Sequence, residues 1–208
     1  MPPQCPNCRV IALRRSNGSG VKDQRQGARR ALLDAFAELA LSRRYQEIGV
    51  GLIAGRAAVA RSTFYYHFRT KDELLLQNLK PMLSALARLA TAAEPTQDVI
   101  DWVTHIWEHR VRSRRIFDGA TGRKIAEALA SALEPKLEAA MAGLARSTAP
   151  LLADQIAGSM IGLLRAWIAG RAAASPPEIA AMLWTGATAI AGSNANDALP
   201  LARPPRQA

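Results

Sequence analysis

From Gln26 onward the apolar side chains return every third or fourth residue, and nowhere do they alternate with polar ones over a sustained run. That is the period of an α-helix, and the missing two-residue period argues against strands. Ala28, Leu32, Ala35, Phe36, Leu39 and Ala40 mark a first helix over 26–43. Arg43 and Arg44 close it, where cations suit the negative end of a helix. After Tyr45 and Ile48 a short second helix fits 50–57, with Val50, Ile53, Ala54 and Ala57 on one face. A tight turn, Ala58-Val59-Ala60, leads to a third short helix over 61–67.

The fourth helix has the clearest start signal. Thr70 can accept from free N–H groups while Glu73, three residues on, reaches back to form a capping box. Leu75, Leu79, Met82, Leu86 and Leu89 continue it as a stripe. Pro81 lies within this stripe and predicts a kink or a break. Beyond Pro95 the spacing predicts helices over 96–112, 121–133, 135–147, 150–172 and 176–192, with Pro135, Pro150 and Pro176 near starts. The expected fold is all-α, with about nine helices. Residues 1–24 and 195–208 carry no helical period and are expected to be disordered tails, the first of them basic.

Charge changes the picture. The net charge is +10. Residues 1–80 hold 14 of the 27 Lys and Arg and 6 of the 17 Asp and Glu, a net +8, which leaves +2 for the rest. A polyanion would find the first two fifths of the chain. No run is long enough to span a bilayer: the longest uncharged one, Ile179 to Asp197, carries Thr, Ser and Asn. The "VIAL" near the N-terminus is too short for the apolar region of a signal peptide. The expected location is the cytoplasm, with no membrane partner.

The segment "VARSTFYYHF", 59–68, sets an arginine, two hydroxyls, two tyrosines and a histidine inside a chain rich in alanine and leucine. Two short helices joined by a three-residue turn and backed by a longer one make a helix-turn-helix, whose second helix enters the major groove. Arg61, Ser62 and Thr63 then stand at the end of the recognition helix that reaches base edges. Arginine bonds guanine O6 and N7, and the threonine methyl meets a thymine methyl. Tyr65, Tyr66 and His67 supply donors suited to phosphate oxygens. Lys71, at the start of the fourth helix, adds a charge where free N–H groups already favour an anion.

The stretch from Ala31 to Leu75 resembles the DNA-binding domain of the tetracycline-repressor (TetR) family. Ile53-Ala54, Ala57, Val59, Thr63 to Phe68 and Lys71 to Leu74 carry the resemblance, which covers about 27–75. It implies a DNA-binding domain over 25–75 and a helical effector-binding and dimerisation domain over 76–194. It also implies that Phe64 and Phe68 are core, that Arg61, Ser62 and Thr63 read bases, and that Tyr65, Tyr66, His67 and Lys71 hold the backbone. Four positions depart from the family pattern: Ala58 stands where Gly is usual, Ala60 where Ser caps, Gly49 where Thr is usual, and Gly51 where relatives often carry a polar side chain. The function implied is a transcriptional regulator, usually a repressor, that binds a palindromic operator as a homodimer and is released by a small molecule. A ligand-blind architectural DNA-binding protein is the alternative.

In the C-terminal half, Trp102, Ile106, Phe117, Met141, Leu144 and Trp167 are candidates to line a pocket for an apolar or aromatic effector, with His105 and His109 as polar anchors. The helices at 150–172 and 176–192 carry Ile156, Met160, Leu163, Met182, Leu183 and Ile190 beside small residues that allow close approach, a candidate dimer interface. No nucleophile–base pair or phosphate-binding glycine loop is present, so catalysis is not expected. No cofactor and no metal is expected either. Cys5 and Cys8 form a single CxxC, half of a structural zinc set. His105 and His109, four apart with Asp101 a turn earlier, have a ligating spacing that is also ordinary on helix surfaces.

Overall fold

Helical period becomes helix throughout the computed structural model, which describes residues 20–140 and 148–196. The helices are α1 (Gly20–Ser42), α2 (Val50–Arg56), α3 (Arg61–His67), α4 (Lys71–Leu89) and α5 (Gln97–Glu108), then α6 (Arg110–Phe117), α7 (Gly119–Ala140), α8 (Ala149–Ile168) and α9 (Pro176–Asn196). A single 3-10 turn covers Tyr45–Glu47, and no strand occurs among the described residues. The chain is all-α. Cys5, Cys8 and the expected N-terminal tail up to residue 19 lie outside the described residues, as does the tail beyond Asn196.

The chain divides into two compact units between Asn78 and Leu79. In the first, α1 packs against α2 and α3, and α2 against α3. Leu32, Phe36, Ile48, Ile53, Phe64 and Phe68 form its core, each 0–1% exposed. Phe64 and Phe68, one helical turn apart, tie the recognition helix down from below.

In the second unit α7 packs on α8, α8 on α9, α5 on α9, and α6 on both α7 and α8. Trp167, Ile125, Leu129, Leu133 and Leu137 lie in its core. The Nε1–H of Trp167 donates to Ala174 O at 2.9 Å, and that of Trp184 to Ala92 O at 2.9 Å, so both indoles are satisfied.

Several helix boundaries differ from expectation. Helix α1 begins at Gly20, so 20–24 are helix in place of the tail expected over 1–24. Helix α8 ends at Ile168, short of 172, and α9 runs to Asn196, past 192 and into the tail expected from 195. Pro81 lies inside α4 and does not end it. The helices expected at 121–133 and 135–147 begin as one, because α7 runs through Pro135 to Ala140. A mid-helix proline costs about 3 kcal/mol. Ile125, Leu129, Leu133 and Leu137 form an unbroken buried stripe across it, and each buried side chain of that size contributes about 1.5–3 kcal/mol. The stripe wins. The helix expected at 96–112 is broken instead, at His109 (φ −107°, ψ 24°). The break frees carbonyls, and the Ser113 hydroxyl donates to Ile106 O at 3.2 Å.

The expectation that no segment could span a bilayer also needs correction. Helix α8, 20 residues long, reaches that length and apolarity, with half of the span buried in its unit. Asp154 and Arg165 interrupt it, so it contains no long uncharged run.

Candidate nucleic-acid interface

The turn before the recognition helix is built from backbone. Val59 N donates to Ala54 O at 3.0 Å and Ala58 N to Gly55 O at 3.2 Å. This pair of bonds is a Schellman ending, and it demands a left-handed residue just after the helix cap. Ala58 supplies it with φ 54°, the one positive-φ residue other than glycine among the described residues. Ala60 then caps α3 with no side-chain bond, and Gly49 caps α2 in the same way. Both helix starts therefore leave N–H groups for water or a ligand.

With Phe64 and Phe68 turned inward, the opposite face of α3 must face out. Tyr65 is 59% exposed and Tyr66 63%. Arg61 and Ser62 are exposed, while Thr63 and His67 are half-buried. The Arg61 guanidinium lies against the backbone of α2 at Gly51, where a Cβ would come within 2.4 Å of Nη2. Only glycine leaves that seat open.

Two residues of α1 join this surface. The Arg25 guanidinium lies 5.5 Å from the Tyr66 ring centre, and Arg29 lies 5.4 Å from that of Phe68. Arg29 also donates to Gln77 Oε1 at 3.0 Å. Burial, then Arg29 and Arg25, hold the His67 pKa below its ordinary value. Nothing in the sequence period pointed to Arg25 or Arg29, because their approach to α3 is tertiary.

Lys71 is engaged. Its ammonium donates to Tyr45 O at 2.9 Å and Ile48 O at 3.3 Å, and sits 4.4 Å from the Tyr45 ring centre. An ammonium has three N–H groups, so one remains for another acceptor. The Tyr45 hydroxyl makes a short hydrogen bond to the Asp72 carboxylate. Burial first, then that carboxylate, push the phenol pKa well up. The start of α4 is capped as expected on one side, where Glu73 N donates to Thr70 Oγ1 at 3.1 Å. The Glu73 carboxylate accepts from Arg69 N at 2.7 Å, one residue earlier than the usual box.

Of the expected pocket residues, Ile106, Phe117 and Trp167 are buried core, and Trp102, His105 and His109 are half-buried. Met141 and Leu144 lie outside the described residues. The His105 and His109 rings are 4.6 Å apart, and their nitrogens and the Glu108 carboxylate lie within 4.8 Å of one another. That trio is the group among the described residues that could hold a metal. Asp101 faces Gln97 instead, accepting from its amide at 2.9 Å. Burial and His109 lower the His105 pKa, and Glu108 opposes them. Of the expected interface residues, Ile156, Met160 and Leu183 are buried by their own chain, Leu163 and Ile190 are half-buried, and Met182 is 52% exposed.

A helix-turn-helix with a polar, aromatic recognition face defines a class, the DNA-binding transcription regulators. Within it, residues 32–77 match the family described as Bacterial regulatory proteins, tetR family. One solved structure supports the fold. The TetR family repressor AlkX from Dietzia sp. is 19% identical, with 79% of this chain and 95% of that one covered at a TM-score of 0.51. A TetR regulator from Streptococcus agalactiae is 23% identical, with 79% and 96% covered at 0.49. One from Rhodococcus sp. is 16% identical, with 86% and 100% covered at 0.48. No curated protein matches the chain.

Proposed function

We propose that this protein is a ligand-responsive transcriptional repressor that binds a palindromic DNA operator as a homodimer. The observation that carries the DNA half is the outward face of α3: two tyrosines more than half exposed, beside Arg25 and His67, on a helix anchored by Phe64 and Phe68. A folded chain rarely leaves so much large donor-bearing surface on a seven-residue helix without a partner. Arg61, Ser62 and Thr63 read base edges, and Tyr65, Tyr66 and His67 hold phosphates. Arg25 joins them, and Lys71 contributes its remaining N–H while bracing the Tyr45 turn.

Dimerisation is supported by the surface that α8 and α9 leave uncovered. Leu151 and Met182 are 69% and 52% exposed, and Gly158, Gly162 and Ala189 are exposed on the same helices. Small residues let helices from two copies approach closely, and the two-fold symmetry of such a dimer matches a palindrome. Effector release requires a ligand that prefers a conformation with wrongly spaced recognition helices. Helix α4 is the covalent route for such a shift, since it runs from Lys71 in the first unit to Leu89 in the second.

The test is selection of bound duplexes from a random pool, followed by affinity measurement on the selected site. Enrichment of an inverted repeat with half-sites about 34–36 Å apart supports the reading. Failure to enrich any sequence contradicts it.

A further inference from the structure

We propose that the groove between α6 and the C-terminal end of α8 binds a small anion, a carboxylate or phosphoryl compound carrying a flat or alkyl apolar body. The groove has a volume of about 550 Å³ and is lined by Trp107, Arg110, Val111, Arg114 and Arg115 on one side and Ile168 to Gly170 on the other, with Asp118 at its edge.

Helix α6, RVRSRRIF, places four arginines in its first six positions. None of them pairs with a carboxylate among the described residues. Asp118, the groove's one acid, is taken by Arg165 at 3.1 Å. Arg110 and Arg112 sit in the first turn, where the helix dipole is positive and no acidic residue offsets it. Arg114 and Arg115 suit the negative end of the helix, and Arg110 lies over the Trp107 ring. No carboxylate among the described residues, however, offsets the repulsion between the four cations, or that of Arg110 and Arg112 with the dipole. A bound oxyanion would. Planar guanidinium forks suit carboxylate and phosphate oxygens equally well.

The apolar part of the ligand has its own seat. The Trp107 ring stacks on buried Trp167, 4.5 Å apart and 20° from parallel, which holds it as a fixed platform. Arg110 lies 5.0 Å from the Trp107 ring centre, so the cation and the flat surface stand side by side. Val111, 73% exposed, extends the apolar wall. The expected effector pocket drew on none of these groove-lining residues.

Any role of this site in releasing DNA rests on the regulator reading; the binding itself does not, and its test contains no DNA. The probes are 8-anilino-1-naphthalenesulfonate and its uncharged counterpart N-phenyl-1-naphthylamine, followed by fluorescence with the full chain. Arg110→Gln/Arg114→Gln should weaken the sulfonate by about tenfold or more and leave the neutral probe unchanged. Arg114→Gln alone, which removes none of the ring contacts above, should show part of the loss. Arg123→Gln, on exposed α7 surface, should show none. Decanoate and decyl phosphate should both displace the sulfonate, and decanol should not. If one anion alone competes, that identifies which oxyanion the groove takes. Equal binding by wild type and the double variant, or competition by decanol as strong as by the anions, overturns the proposal. A change in sedimentation with sulfonate binding intact also overturns it, and makes the groove a subunit contact.

Discussion

Arg61 and Gly51 show how much of the proposed reading surface depends on a missing atom. The guanidinium occupies the space where a Cβ at position 51 would stand. Gly51→Ala should therefore displace Arg61 and alter the preferred base, while Arg61→Ala removes that preference at a cost of about 1–3 kcal/mol at one base pair. Affinity measured against single-base operator variants separates the two outcomes; identical preference in both variants and wild type would reject the assigned role. His67 gives a pH prediction. Its pKa in the free protein lies below the ordinary value near 6.5, and a phosphate beside the ring would raise it. Binding then takes up a proton, so DNA affinity should rise as pH falls from neutrality through that region, and His67→Gln should flatten the profile. For folding the sign is opposite: the folded state binds the proton less readily than the unfolded one, so this group's contribution to stability declines below about pH 6.5. The outward positions of α3 were legible because Phe64 and Phe68 set its phase. Arg25, Arg29 and the Arg61 seat were not, because each depends on a contact between helices.

At the scale of elements, the turn into α3 is strained and its caps are empty. A left-handed alanine costs about 1–2 kcal/mol, which glycine avoids at some entropic cost to the folded state. Ala58→Gly should therefore stabilise the protein, by up to about 1 kcal/mol, and Ala60→Ser should add about 1 kcal/mol by supplying a cap. Thermal or denaturant unfolding of both variants checks this, and a destabilised Ala58→Gly would contradict the turn geometry. Pro81 belongs here too. If α4 transmits the effector signal, Pro81→Ala should change the ratio of DNA affinities with and without effector more than it changes DNA affinity alone; an unchanged ratio removes α4 as the lever. The start of α4 was readable from its capping box and its inner stripe from apolar spacing, whereas α7 was expected as two helices because Pro135 is also a start signal. The break at His109 was not readable, because the arginines that follow are good helix formers and hide it. The groove of α6 escaped for a related reason: three arginines stand among its apolar lining residues, and apolar spacing does not mark them.

For the molecule as a whole, the asymmetry of charge sets the behaviour on DNA. The net +8 over residues 1–80 predicts a steep dependence on salt. Each neutralised phosphate contributes about −0.9 to the slope of log K against log salt. Lys71→Ala should lower affinity for all sequences nearly equally. It should also lower stability, because the same ammonium braces the carbonyls of Tyr45 and Ile48. The measurement that tests the central claim most directly is the affinity of the full chain for its selected operator and for a scrambled duplex, from low to physiological salt, for wild type and Arg61→Ala. The account predicts that wild type prefers the operator at every salt concentration, with parallel steep slopes for both duplexes. Arg61→Ala should keep the slope nearly unchanged and lose most of the preference. Wild-type binding that is indifferent to salt, or a preference that survives Arg61→Ala intact, would contradict it.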